Sequence, residues 1–290
     1  MKKIGLTADS SSGLLYAPFK SSAIITKTTI HFGDKEYVDG IDITADEFYL
    51  KLEKTNLVPT TSAPLLKEIL EAVNKHKENG ITDVIHFPIS TNLSHYGKNL
   101  VQNINPLIED INFHVCDTKS ATILQGFLVS FAEKLVDKGY SVDEVISETL
   151  KLREKMNAYF VVDDLKYLIK NGRLSGLTGT LGILAKIKPI LNLSKEGFVV
   201  PFLKLRTHHK SRNKIIELIE EETRDYKKVV YFVVHTNRID DATILEEEIK
   251  LKFKNIHDII KTTITPTIGA HIGSKILGLG YAIIDDYDFL

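Results

Sequence analysis

Short apolar runs alternate with amphipathic helical patterns through the first half of the chain. The runs KKIGLTAD and TDVIHFPIS are short and end in polar residues, which is typical of buried strands that lead into loops. Between them, Leu66, Ile69 and Val73 recur at the spacing of one helical face. Strands that alternate with helices predict a mostly parallel sheet that is covered by helices on both faces.

The second half of the chain has a different pattern. It holds strand-like runs on either side of an amphipathic helix at residues 213–228, and residues 259–285 are expected to form a strand, a glycine-rich loop and a final strand. Such runs favour a mixed or antiparallel sheet with helices on one face. We therefore predict an α/β fold of two domains, an N-terminal domain at residues 1–157 and a C-terminal domain at residues 158–290.

Composition places the chain among ordinary globular proteins and narrows its partners. The 290 residues are 43% hydrophobic and 26% charged, and the formal net charge of -1 argues against broad electrostatic binding to nucleic acid or to an anionic membrane. Cys116 is the only cysteine, so no intrachain disulfide can form. The chain has neither a signal-peptide core nor an apolar stretch of roughly 20 residues, so we expect a soluble cytoplasmic protein with at most transient membrane contact.

Small hydroxyl side chains follow the predicted strands at four places, residues 9–12, 60–62, 90–94 and 117–120. Loops at the carboxyl ends of parallel strands gather at one edge of a sheet, where ligands bind. Residues 60–62 also precede the helical pattern, so their hydroxyls are expected at a helix N-terminus. The four loops together predict a site for one anionic head group held by hydroxyls and helix N-terminal amides, although helix capping alone would also explain each loop.

Two basic side chains are further candidates for the same site. His271 lies between Gly269 and Gly273 in the expected loop, where it could donate to a carboxylate or phosphate, or simply belong to the surface. Arg173 follows a short predicted helix, where a guanidinium could pair with an oxyanion or stabilise the helix C-terminus. The sequence leaves both alternatives open for each residue.

Signatures of catalysis and of metal or cofactor binding are missing. The chain has no phosphate-binding loop of the G-x-x-x-x-G-K-[ST] type, no G-x-G-x-x-G fingerprint and no G-x-S-x-G nucleophile turn. Its ten histidines are scattered, and the pair His208 and His209 is expected in a solvated loop. No metal site is predicted, since the pair Asp163 and Asp164, which could bind a divalent ion, is more often a helix cap.

An ordered set of motifs resembles the DegV family and spans essentially the whole chain. The motifs are ADSSSGL, TTSAP, ISTNLSHY, DTKSATILQG, VVDDLKYLIKNGRLSG, KIKPIL and TPTIGAHIG. The resemblance implies the family's two-domain α/β fold, which matches the division drawn above. It also implies a FakB-type fatty-acid-binding subunit of bacterial fatty acid kinase, with the acyl tail buried between the domains and the carboxylate near the surface.

On this resemblance the protein is not an enzyme by itself. A separate ATP-dependent kinase subunit of the FakA type would phosphorylate the carboxylate, and the acyl phosphate would enter phospholipid synthesis. The long-chain fatty acid is then a ligand rather than a cofactor. Other classes of function stay open: a hydrolase that uses Ser94 or Ser62 with His271, a small-molecule phosphotransferase, or a regulatory or scaffold protein with a structural lipid.

The family's head-group residues can be placed on this chain by their motifs. The resemblance assigns the binding of the fatty acid carboxylate to Thr61, Ser62, Ser94, Arg173 and His271. The chain departs from the family pattern at His95, Tyr96 and Lys275, which are larger than the usual residues, and at Asn171, where the family usually has glycine. Residues 176–191 are small and branched and are expected to form a tunnel wall, although ordinary core packing would explain them as well.

Overall fold

The structure is a computed structural model that describes residues 3–175, 188–205 and 207–290. In this part of the chain, thirteen strands form three sheets. The strands are β1 (Ile4–Asp9), β2 (Ile24–Thr26), β3 (Thr29–Phe32), β4 (Lys35–Val38), β5 (Thr60–Ser62), β6 (Asp83–Phe87), β7 (Asn112–Val115), β8 (Met156–Val161), β9 (Ile190–Leu193), β10 (Val199–Leu203), β11 (Val229–His235), β12 (Ile256–Thr263) and β13 (Leu277–Ile283). The α-helices of the described residues are α1 (Ala45–Glu53), α2 (Leu66–Glu78), α3 (Leu100–Ile104), α4 (Thr122–Asp137), α5 (Val142–Glu154), α6 (Lys166–Lys170), α7 (His208–Thr223), α8 (Ile239–Lys252) and α9 (Pro266–Ile272).

The first sheet is parallel and has the strand order β2-β1-β6-β7. Helix α2 covers one face, where Ile69 and Val73 share a buried cluster with Val84 of β6. Helix α4 covers the other face, where Leu128 shares a buried cluster with Ile85, the next residue of the same strand. The prediction of a parallel sheet covered by helices on both faces is therefore confirmed.

The second sheet is mixed and has the order β10-β9-β8-β13-β11-β12, in which β11 and β12 run parallel and the other pairs antiparallel. Helices α7 and α8 pack on one face, where Ile215 and Leu245 share a buried cluster with Tyr231. The other face turns toward α4, and the rings of Phe127 and Phe232 meet edge to face at 5.2 Å. The predicted mixed sheet with the C-terminal helices on one face is confirmed, and α4 lies between the two sheets.

A third sheet has the order β4-β3-β5 and is antiparallel. Its strand β5 shows that one prediction was wrong. Thr60–Ser62 were expected at the start of a helix, but they form β5 and pair with β3. Helix α2 begins only at Leu66, because the Glu68 carboxylate accepts the Leu65 N–H and closes the first turn there. The hydroxyls of β5 therefore do not cap this helix.

The prediction of a glycine-rich loop near the C-terminus is also wrong, because Pro266–Ile272 form helix α9. Thr265 caps its first turn by accepting the Ile268 N–H. Gly269 lies inside the helix, where a Cβ would come within 2.5–2.8 Å of the Tyr49 phenol. Helix α9 thus packs closely on α1, and this glycine serves a close approach rather than a turn.

Most of the predicted tunnel wall at residues 176–191 falls on residues 176–187, which lie outside the described residues. Its last two residues, Ile190 and Leu191, are buried in β9. Leu191 belongs to the cluster around α4, whereas Ile190 belongs to the cluster around α7 and α8. This end of the segment is therefore a core strand with one side chain on each face.

Candidate functional site

A cavity with about 1170 Å³ of empty space, counted out to its mouth, lies between the first and second sheets. Leu124 of α4, Leu193 of β9, Val234 of β11 and Leu279 of β13 form part of an apolar wall. Ala63, which is exposed, also lines the cavity, so the space opens to solvent just beyond β5. A cavity of this kind can hold a long apolar group with one end near the surface.

Four of the five predicted binding residues line this cavity, although they are far apart in the sequence. We call them the open cluster, formed by Thr61, Ser94, Arg173 and His271. Thr61 lies in β5, Ser94 precedes a 3-10 turn, Arg173 follows α6, and His271 lies in the last turn of α9. The fold therefore brings polar side chains from four separate segments to one cavity.

Thr61 and His271 make the direct polar contact between β5 and α9. The Thr61 Oγ1 and the His271 Nε2 are 2.9 Å apart. Successive side chains of a strand point to opposite faces, so Ser62 points away from Thr61. Ser62 is exposed, its hydroxyl lies 2.6 Å from the His31 Nε2, and it is not among the described residues that line the cavity.

Burial keeps the His271 imidazole neutral. Burial, with a smaller contribution from the positive charge of Arg173, lowers the pKa of His271 to about 4. At neutral pH one of the two ring nitrogens therefore carries the only proton. The Nδ1 is buried and has no hydrogen-bond partner in the described part of the chain. A buried ring nitrogen without a partner is uncommon in folded proteins.

Backbone carbonyls hold the Arg173 guanidinium. Its Nε donates to the Leu93 carbonyl at 3.1 Å, and its Nη1 donates to the Asn171 carbonyl. Within residues 3–175, 188–205 and 207–290, no acidic side chain forms an ion pair with it. A guanidinium with an uncompensated charge at a cavity favours an anionic ligand.

The Ser94 hydroxyl is also available to a ligand. Ser94 stands at the N-cap position of the 3-10 turn His95–Asn99, but its side chain makes no capping hydrogen bond. The carbonyl of the preceding residue, Leu93, holds Arg173, so the backbone next to Ser94 is fixed to the guanidinium. Capping was the alternative explanation for this loop, and it does not account for Ser94.

A second cluster of polar side chains borders the cavity, and its members form hydrogen bonds with one another. We call it the closed network, formed by Thr7, Asp9, His86 and Tyr96, of which Asp9 and Tyr96 line the cavity. The Tyr96 hydroxyl donates to the Asp9 carboxylate, and the His86 Nε2 lies 3.1 Å from that hydroxyl. The His86 Nδ1 lies 2.9 Å from the Thr7 Oγ1. Because the Tyr96 hydroxyl donates its hydrogen bond to Asp9, it can only accept from the His86 Nε2–H. The His86 Nδ1 then carries no proton and accepts from the Thr7 hydroxyl, so the tautomer of His86 is fixed.

Burial dominates the titration of the closed network. It lowers the pKa of His86 to about 3 and raises the pKa of Asp9. The backbone N–H groups of Ser11 and Ile89 also donate to the Asp9 carboxylate, at 2.9 and 2.7 Å. The sequence marks Tyr96 only as a large residue in its motif. Its partner Asp9 lies 87 positions earlier, so no local pattern shows the pair.

The other large or basic residues singled out in the sequence lie elsewhere. His95 and Lys275 are exposed and are not among the described residues that line the cavity. The pair His208 and His209 was expected in a solvated loop, but it opens helix α7, and His208 pairs with Asp163. The described residues contain no group of three histidine, cysteine or acidic side chains that could hold a metal ion. None of their helices is long and apolar enough to cross a bilayer.

The fold and the cavity define a two-domain α/β protein in which a largely apolar cavity carries one polar cluster, with an unpaired histidine nitrogen and a cation that has no acidic partner among the described residues. The family model described as "Uncharacterised protein, DegV family" matches residues 3–283. The chain belongs to the DegV family, and the resemblance carried by the sequence motifs is confirmed.

Relatives match this chain over nearly their whole length. A DegV domain-containing protein of Staphylococcus aureus strain COL is 30% identical over 281 residues, which cover 96% of this chain and 97% of that protein. The crystal structure of a fatty acid binding DegV family protein from Streptococcus agalactiae is 27% identical with a TM-score of 0.85, covering 97% of this chain and 99% of the other. DegV from Bacillus subtilis, a fatty acid binding protein, is 27% identical with a TM-score of 0.86, covering 98% and 100%.

Proposed function

We propose that the protein binds a long-chain fatty acid, with the acyl tail in the cavity and the carboxylate at the open cluster. The observation that carries this proposal is a largely apolar cavity lined by Arg173, a cation without an acidic partner among the described residues. Each buried methylene would contribute about 0.8 kcal/mol, so the tail would supply most of the affinity. The solved S. agalactiae and B. subtilis relatives are fatty acid binding proteins, which supports the same ligand class here.

The open cluster offers the donors that a carboxylate requires. Arg173 supplies the positive charge, and Ser94 supplies a hydroxyl that makes no capping bond. If Thr61 donates to the His271 Nε2, the proton of the ring lies on Nδ1, which has no partner among the described residues. That N–H would then be an unused donor of the open cluster. These contacts would fix the orientation of the fatty acid more than its affinity.

The proposed site is narrower than the set of residues assigned by resemblance. Ser62 is exposed and bonded to His31, so it is left out of the proposed carboxylate site. The ligand would lie between an N-terminal domain of residues 1–157 and a C-terminal domain of residues 158–290. Loops at the ends of the strands of the first sheet would line the cavity on one side. Side chains of the second sheet would line it on the other side.

We further propose that the protein presents its fatty acid to a separate ATP-dependent kinase subunit, as FakB-type proteins do. The cavity opens beside Thr61 and Ala63, so a carboxylate at the open cluster would be reachable for a partner. On this proposal the chain is not itself an enzyme and needs no cofactor. The acyl phosphate formed in the cytoplasm would feed phospholipid synthesis.

One contact favours a second candidate function, that of a hydrolase. The distance of 2.9 Å between the Thr61 Oγ1 and the His271 Nε2 suits a nucleophile and a general base. However, no described carboxylate orients the ring through Nδ1, as the third member of a triad does. Turnover of a p-nitrophenyl acyl ester by the purified protein, abolished by Thr61→Ala, would support the hydrolase.

The test of the proposed ligand is mass spectrometry of an organic extract, followed by titration with oleate. We expect a stoichiometric long-chain fatty acid in the extract and binding of added oleate after delipidation. Val234→Phe is the matched control, because the larger side chain fills part of the apolar cavity and leaves the open cluster unchanged. It should bind little oleate. A wild-type protein with no lipid in the extract and no affinity for oleate would overturn the proposal.

The partner is tested separately. Addition of a FakA-type kinase subunit and ATP to the oleate-loaded protein should give an acyl phosphate, which hydroxylamine traps as a hydroxamate. Oleate that binds tightly but is never phosphorylated by such a subunit would overturn the kinase partner and leave the fatty acid site standing.

A further inference from the structure

We propose that Asn171 is a positioning residue that fixes three of the four side chains of the open cluster. The inference rests on the proposed function, since it assigns Asn171 a part in holding the fatty acid carboxylate. Asn171 stands at the C-cap of α6.

Both N–H bonds of the Asn171 amide are used, one on the loop that leads into β5 and one on helix α9. The Nδ2 donates to the Pro59 carbonyl at 3.3 Å and to the Ala270 carbonyl at 3.1 Å. Pro59 comes two residues before Thr61, and Ala270 comes one residue before His271. The amide therefore joins helix α9 to the segment that leads into β5, close to the hydrogen bond between Thr61 and His271.

The Asn171 backbone completes the link to the guanidinium. Its carbonyl accepts from the Arg173 Nη1. Gly172, with φ at +66°, reverses the chain between them, and the Arg173 N–H donates to the Leu168 carbonyl at 2.9 Å to close the helix end. One residue thus contacts α9 and the residue just before β5 through its side chain, and Arg173 through its carbonyl.

The chemistry at this position requires an N–H donor. Both neighbours of the side chain are carbonyl oxygens, which accept only, so a carboxylate of the same shape would face two acceptors. Ala270 lies in the last turn of α9, where a helix has no donor of its own for its carbonyls. Without the amide, the short helix α9 can shift against β5 and move His271 away from Thr61. A cluster that is ordered before the ligand arrives binds it more tightly.

Titration with oleate and with oleyl alcohol separates positioning from a general loss of stability. The two probes share one tail, so the ratio of their affinities reports the carboxylate contacts. We expect Asn171→Ala and Asn171→Asp to lower this ratio by about five- to tenfold, the effect of one or two hydrogen bonds. The affinity for oleyl alcohol should stay unchanged.

Asn255 provides a matched control. Its Nδ2 also bridges two backbone carbonyls, those of Thr223 at 2.6 Å and Tyr226 at 3.1 Å. It is not among the described residues that line the cavity. Asn255→Ala should lower Tm at least as much as Asn171→Ala and leave the ratio of the two affinities at its wild-type value.

The experiment distinguishes a failure of the positioning role of Asn171 from a failure of the proposed fatty acid binding. A wild-type protein that binds neither probe overturns the proposed function and this inference with it. A wild-type protein that prefers oleate, beside an Asn171→Ala variant with the same preference, overturns the positioning role alone. An equal loss of preference in the Asn171 and Asn255 variants also overturns it. Asn171→Gly, which removes the whole side chain, serves in place of Asn171→Asp where the latter does not fold.

Discussion

The open cluster and the closed network border the same cavity, but they differ in how their polar atoms are satisfied. In the closed network, the Tyr96 hydroxyl and the Asp9 carboxylate are paired with each other. In the open cluster, Ser94 makes no capping bond, the His271 Nδ1 is unpaired, and Arg173 has no acidic partner, all within the described residues. An unsatisfied buried polar group costs about 1–3 kcal/mol, so the unused hydrogen-bonding capacity of the open cluster supports the proposal that the carboxylate binds there.

Removal of the cation from the open cluster should have the largest effect. A hydrogen bond to a charged group contributes about 1.5–3 kcal/mol, so Arg173→Gln should weaken oleate binding by about ten- to a hundredfold. The free energy of unfolding should not fall by a comparable amount, because no acidic partner among the described residues is left alone. Calorimetric titration measures the first quantity and urea unfolding the second.

Arg212→Gln is the control for this change, because Arg212 is paired with Glu248 at 2.7 Å and is absent from the described cavity lining. Its oleate affinity should match that of the wild type. If Arg173→Gln binds oleate as tightly as Arg212→Gln, the carboxylate does not lie at the open cluster.

A change in the closed network should lower the stability of the fold and leave oleate affinity unchanged, the opposite of the change at Arg173. Tyr96→Phe keeps the ring on the cavity wall but removes the hydroxyl between Asp9 and His86. We expect the free energy of unfolding to fall by about 1–3 kcal/mol, because two buried groups lose a partner. Oleate affinity should be unchanged. Urea unfolding at neutral pH measures the loss, with Tyr140→Phe at a more exposed position as the control.

A Tyr96→Phe variant with wild-type stability and weakened oleate binding would reverse the comparison. It would show that the phenol serves the ligand and that the network is not closed in the complex.

The histidines of the two regions should differ in how the ligand changes their response to acid. Burial lowers the pKa of His86 to about 3 and that of His271 to about 4, whereas an unfolded histidine titrates near 6.5. As pH falls below about 6.5, the unfolded chain binds a proton at each site and the folded chain does not. Each histidine then lowers stability by up to about 1.4 kcal/mol per pH unit until its folded pKa is reached.

Oleate should act on only one of these two histidines. A bound carboxylate beside His271 favours the charged ring and raises its pKa, so the loss of stability with acid should become shallower in the complex. His271→Gln should remove this effect of oleate on the slope, whereas His86→Gln should reduce the slope and leave the effect of oleate intact. Urea unfolding with and without oleate at several pH values between neutral and mildly acidic checks both variants. A slope that oleate changes equally in both variants would contradict the assignment.

The layers of the fold could be predicted because they depend on local periodicity, but two short elements could not. Three residues are too few to show the period of a strand, and β5 exists because β3 offers it a partner. Helix α9 contains glycine, which opposes helix formation. It forms where Gly269 packs on Tyr49 and where the Asp39 carboxylate accepts the Thr267 N–H at 3.1 Å. Both elements depend on tertiary contacts.

The residues of the candidate site were easier to predict than their arrangement. The motifs supplied all four members of the open cluster, while their assignment to the carboxylate and the domain boundary near Asn157 stay predictions. Asn171 was visible only as a departure from glycine, because its two acceptors, Pro59 and Ala270, lie about 100 positions away along the chain. Tyr96 was visible only by its size. Long-range hydrogen bonds of this kind leave no local pattern in a sequence.

The smallest expected effect comes from a pair of serine truncations that tests where the open cluster ends. Ser94→Ala removes a hydroxyl at the cavity and should weaken oleate binding by about two- to tenfold, the effect of one hydrogen bond. Ser62→Ala removes an exposed hydroxyl bonded to His31 and should leave the affinity unchanged. Calorimetric titration of the two variants with oleate makes the comparison. Equal losses would place Ser62 at the carboxylate, and β5 would then have to turn on binding, because a strand sends neighbouring side chains such as Thr61 and Ser62 to opposite faces.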